Sequence, residues 1–70
     1  MEIFSASKAA AELGPIIAYH PSSSCRVEAV QILGRYDAGG WEIILALLPG
    51  LADPDPEVYQ ATMEAFSRMK

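Results

Sequence analysis

The chain has 70 residues, of which 5 are Lys or Arg and 9 are Asp or Glu, giving a formal net charge of −4. An acidic chain with scattered basic residues lacks the clustered Lys and Arg that displace counterions from phosphates, which argues against nucleic acid as a partner. A single cysteine, Cys25, and a single histidine, His20, exclude an internal disulfide and argue against a structural metal site.

At this length one core supplies only about 3–5 kcal/mol, so stability must come from helix packing, self-association or a partner. Met1-Glu2-Ile3-Phe4-Ser5 lacks a basic segment followed by an apolar run, and no stretch approaches the roughly 20 apolar residues of a membrane span. The expectation is a soluble, cytoplasmic protein with no membrane partner.

From about Ser5 to Tyr19 the residues are mostly helix formers, including Ala6, Lys8, Ala9, Ala10, Ala11, Glu12 and Leu13. Gly14-Pro15 interrupts them and predicts a kink, because proline lacks the backbone donor and clashes one turn back. One bent helix and two short ones both fit. His20-Pro21-Ser22-Ser23-Ser24 is a short polar break with Ser22 as candidate N-cap.

In the next helix, Cys25, Ala29, Ile32, Leu33 and Tyr36 fall within about 100° of one another and predict the core stripe. Glu28, Gln31 and Arg35 share the opposite, solvated face. Arg26 breaks that division, because it lies between Leu33 and Val30 inside an otherwise apolar arc. Asp37-Ala38-Gly39-Gly40 forms the second break. Trp41 to Leu51 is apolar nearly all round, with Glu42 as its one charge, and should be covered on more than one side.

Asp53-Pro54-Asp55-Pro56-Glu57 is a helix start: Asp55 caps, Pro56 fits the first helical position, and Glu57 suits the positive end of the dipole. The last helix is expected from Pro56 nearly to Lys70, with Val58, Thr62, Ala65, Phe66 and Met69 as its core stripe. Its spacing repeats that of the second helix. Residues 58–67 place apolar or small side chains at nearly every position where residues 25–34, 33 positions earlier, do so. Repeats of this length imply stacked helical hairpins.

These residues resemble the HEAT repeat family, particularly the short HEAT-like repeats also found in phycobilin lyases. The second helix of such a hairpin reads valine-arginine, small residues, then leucine-glycine, after a loop with aspartate and proline. Cys25-Arg26, Glu28-Ala29-Val30 and Leu33-Gly34 match it once, and Asp53-Pro54-Asp55-Pro56-Glu57-Val58 with Ala61, Ala65 and Phe66 match it again. Leu13 to Ala18 also correspond to Leu47 to Ala52, slipped by one residue. Two departures stand out: Tyr59 occupies the place of Arg26, and His20 that of Asp53.

The resemblance implies an all-α domain over residues 1–70, built as two stacked antiparallel hairpins at about 5–36 and 39–70. It also implies that Arg26 turns inward and pairs with Asp53 as an inter-repeat rung. The expected core is Leu13, Ile17, Cys25, Ala29, Ile32, Leu33, Trp41, Ile44, Leu48, Val58, Thr62 and Phe66.

No catalytic constellation emerges. Cys25 reads as a small buried hydrophobe rather than a nucleophile, His20 as a surface histidine, and Ser22 to Ser24 as caps without a base. Asp53, Asp55 and Glu57 lack the loop-closing bidentate glutamate of a cation site. No cofactor is expected. The function expected is a non-catalytic interaction module, an adaptor or assembly factor whose partner is another protein or a second copy. The alternative, from the resemblance alone, is an accessory subunit of a phycobilin lyase or other bilin-handling enzyme. The expected partner-binding residues are Tyr59, Met63 and Phe66, which lie 33 positions after Arg26, Val30 and Leu33 on the forward-facing side of the last helix.

Overall fold

A computed structural model describes residues 6–36 and 41–68, all of whose regular structure is helical. The four helices are α1 (Ala6–Tyr19), α2 (Ser23–Leu33), α3 (Trp41–Leu51) and α4 (Pro56–Arg68). The break at Asp37 to Gly40, the segment before Ala6, and Met69 and Lys70 lie outside the described residues.

Local chemistry accounts for the helix ends. Ser22 holds extended backbone and its hydroxyl accepts from the Cys25 N–H at 3.4 Å, a long capping bond at the start of α2. Asp55 caps α4 more tightly, its carboxylate accepting from the Glu57 N–H at 2.9 Å. The last turns of α2 and α3 close with tighter bonds from Arg35 N–H to Ile32 O and from Ala52 N–H to Pro49 O, both 3.1 Å. Gly14-Pro15 does not divide the first segment: α1 is a single helix with Pro15 inside it and exposed.

Helix α1 packs against α2 and α3, α4 packs against the same two, and α2 and α3 touch over a narrower region. Among the described residues α1 and α4 do not meet. Short connections at residues 20–22 and 52–55 join packed neighbours, which requires each consecutive pair to run antiparallel.

The core consists of Ala9, Ala10, Ile17, Ala29, Val30, Leu33, Ile43, Leu47, Val58, Ala61 and Ala65, with Thr62 the one fully covered polar side chain among the described residues. Three expected core residues are exposed instead: Ile32, Trp41 and Leu48. Cys25, Leu13, Ile44 and Phe66 are half-buried. The reason is geometric. Helix α2 is covered by α1 on one side and α4 on the other, so its buried face is centred on Leu33 and Arg26 rather than on Cys25. Helix α3 is apolar all round, and only its neighbours select Ile43, Leu47 and Gly50 as the covered face.

Small residues set the helix separations. A Cβ at Gly14 would stand 3.4 Å from that of Ala46, and one at Gly34 would stand 3.0 Å from that of Ala65. At Gly50 an added Cβ would overlap the Thr62 hydroxyl and come within 3.0 Å of Thr62 Cβ. Thr62 cannot turn away cheaply, because its hydroxyl donates to Val58 O at 2.8 Å and its side chain is fully covered. Gly50→Ala is therefore expected to cost about 2 kcal/mol by overpacking. Urea unfolding checks this, and Gly50→Ala should cost less in a Thr62→Ala background than in the parent, because the hydroxyl and methyl are gone while the Cβ remains.

Candidate interaction surface

The polar centre of the molecule is a clamp between two loops. Arg26 projects from the first turn of α2, and its Nη1 donates to the carbonyl oxygen of His20 at 2.6 Å. Its Nε and Nη2 donate to Oδ2 and Oδ1 of Asp53 at 2.8 and 3.2 Å, the forked geometry that suits guanidinium and carboxylate. Asp53 Oδ1 also accepts from the Asp55 N–H at 2.9 Å. The two charged side chains are only 15% and 6% exposed, so the pair is largely withdrawn from water. Its chemistry is structural: every donor it uses is committed to joining the 20–22 loop to the 53–55 loop.

His20 is not a free surface side chain. It is half-buried, and its Nδ1 accepts from the Ser22 N–H at 3.0 Å, which puts the proton of the neutral ring on Nε2. The sequence signal was the short polar run after His20, in which a backbone donor two residues on needs an acceptor before the helix starts.

Asp55 adds a titratable contact. The Glu57 N–H and then the Ser23 hydroxyl hold its carboxyl below the ordinary aspartate range against desolvation, with a lesser contribution from the charge of Arg26. The folded state thus prefers the ionised form. Its stabilisation is present above the unfolded value of about 3.9 and is lost as pH falls through the lower folded value. Asp55→Asn keeps a capping oxygen but removes the charge. The gap in urea midpoint between parent and variant should be visible at pH 6 and shrink below pH 4.

The expected binding residues sit on α4 opposite its contact with α2. Ala65 faces Gly34, whereas Tyr59 and Met63 lie across the helix and are 45% and 47% exposed. Phe66 is half-buried and packs partly on the core. The α3 side of this surface was missed. Ala46 faces Gly14 of α1, and on the other side of α3 stand Trp41, Leu48 and Leu51, with Trp41 76% exposed, beside half-buried Ile44. Because α3 and α4 touch, these exposed apolar side chains stand on two packed neighbours. An all-round apolar helix carries no periodic signal for its uncovered side, so the sequence could not reveal this half.

Two of the depressions among the described residues are mainly apolar. An open groove of about 490 Å³ runs between α1 and α3, walled by Ala10, Ala11, Gly14, Ala18, Leu45 and Ala46, with Tyr19 and Glu42 at its margins. A smaller trough of about 200 Å³ lies between α1 and α2, lined by Leu13, Ile16, His20, Cys25, Glu28, Ala29 and Ile32.

Among the described residues no group of His, Cys, Asp and Glu is placed to hold a metal ion, and no helix is long and apolar enough to cross a membrane. Comparison of the chain with protein-family models, with curated proteins and with solved structures gave no match.

Proposed function

We propose that the chain is a small, non-catalytic protein–protein interaction module, an adaptor or assembly factor made of two HEAT-like hairpins. The order of contacts, α1 on α3 and α2 on α4, is what two hairpins stacked in register would give, and it supports the repeat reading. The observation that carries the function is the apolar face of Trp41, Leu48, Leu51, Tyr59 and Met63, all exposed on adjacent helices. Apolar side chains gathered on one surface in this way mark an interface. Aromatic residues and methionine are also enriched at interface centres.

A bilin-handling role draws support from the α1–α3 groove, whose volume lies within the range of small-molecule sites. The charged side chain at its margin is Glu42, which would repel the carboxylates of a bilin, so the interaction reading is preferred.

The test compares the parent chain with Tyr59→Lys/Met63→Lys in a pull-down from native cytosol, with an absorption scan of the eluate. Retention of a partner by the parent and at least tenfold less by the variant, with equal helicity by circular dichroism, is the expected outcome. Equal retention by both, or a coloured stoichiometric complex unaffected by the lysines, would remove the assignment.

A further inference from the structure

We infer that the occupant of the α3–α4 face is a second copy of this chain, stacked head to tail so that its own α1–α2 side seats on that face. The inference rests on the repeat reading above and adds the identity and direction of the partner. The chain already contains one junction between its two hairpins, and that junction shows which positions meet: Gly34 with Ala65, and Arg26 with Asp53. Moving each position by the 33-residue repeat gives the contacts that a second junction of the same kind would make. The forward partner at the place of Arg26 is Tyr59, and the backward partner at the place of Asp53 is His20 of the next copy.

Both members of the charged rung are thus replaced together by groups that can still pair. His20 Nδ1 is occupied by the Ser22 N–H, leaving Nε2–H to donate, and the half-exposed Tyr59 hydroxyl is an acceptor of the right kind. A neutral rung also suits a junction that forms and separates, because neither side strands a charge when it opens. The apolar parts correspond as well. Ile32 stands at the place of Ala65, and with Leu13 and Ile16 it borders the trough that would receive the ridge of Tyr59 and Met63, with the exposed Glu28 on the same lining. Where the internal junction is held close by Gly34 against Ala65, the outer one sets Ser67 against Ile32, so the helices stand farther apart and the association is the weaker of the two.

A head-to-tail contact of this kind is heterologous and does not close after two copies. Sedimentation velocity over a hundredfold concentration range tests it with three chains: the parent, the forward-blocked Tyr59→Lys/Met63→Lys, and the backward-blocked Ile32→Lys. The parent should grow beyond a dimer with concentration, and each blocked chain alone should remain monomeric. An equimolar mixture of the two should form a one-to-one dimer and stop there, since it contains one intact face of each kind. Tyr59→Phe should weaken the parent's association several-fold without abolishing it.

Dimers of the backward-blocked chain alone would show a face-to-face contact and overturn the inference, as would a parent that stays monomeric throughout. A monomeric parent whose partner capture is still lost in the forward-blocked chain would overturn self-stacking while leaving the interaction reading intact. If either lysine variant loses helicity, Met63→Gln and Ile32→Gln give the same comparisons.

Discussion

Replacing Arg26 with methionine is expected to destabilise the chain by about 3 kcal/mol or more, because it leaves the Asp53 carboxylate facing an apolar side chain. Asp53 is 6% exposed and keeps one hydrogen bond, from the Asp55 N–H, when the guanidinium is removed. The carbonyl of His20 loses its donor at the same time. Unsatisfied buried groups of this kind cost more than the intact pair contributes. A domain of this size is held by only about 3–5 kcal/mol, so the variant should be largely unfolded without urea at room temperature. Circular dichroism and urea titration measure the loss.

The partner change gives the sharper readout. Asp53→Asn removes the charge but keeps an oxygen for the Asp55 N–H, and combined with Arg26→Met it should recover part of the stability. A coupling of about 2 kcal/mol in the double-mutant cycle is expected. Additive losses would mean that the two side chains act independently, against the forked geometry.

Leu47→Ala is expected to cost about 3 kcal/mol, and Leu48→Ala less than about 1 kcal/mol. The two leucines are neighbours in one apolar helix, yet Leu47 is fully buried and Leu48 is 45% exposed. Deleting the first opens a cavity in the shared core, whereas deleting the second trims the outward face. Urea midpoints of the two variants measure the contrast directly. Equal losses would place the covered side of α3 elsewhere.

Those two leucines also mark the division between what sequence fixes and what packing fixes. The existence of four helices was legible because their signals are local: helix formers in α1, the Ser22 cap, the Asp55-Pro56-Glu57 start, and breaks at residues 20–24 and 37–40. Each depends on backbone groups within a turn of the residue that satisfies them. Arg26 was legible as an anomaly, a charge inside an apolar arc that needed a partner. Asp53 came from the family resemblance, and the structure brings the two side chains together.

Which face each helix buries was less legible. In α2 the polar side of Glu28, Gln31 and Arg35 points directly away from Arg26 and Leu33, so the polar residues located the buried face better than the apolar ones did. The apolar residues by themselves point to a stripe through Cys25 and Ile32, because a charge at the centre of a core face looks out of place until its partner is known. In α3 no periodicity exists to read, and Gly50 against Thr62 decides the matter through a contact between different helices. The α4 half of the outward surface followed from the 33-residue repeat, but Trp41, Leu48 and Leu51 joined it only once α1 covered the other side of α3. Caps, breaks and repeat spacing are properties of neighbouring residues and were determined by the sequence alone. The uncovered side of an apolar helix depends on where the other helices lie, and the tertiary structure alone decided it.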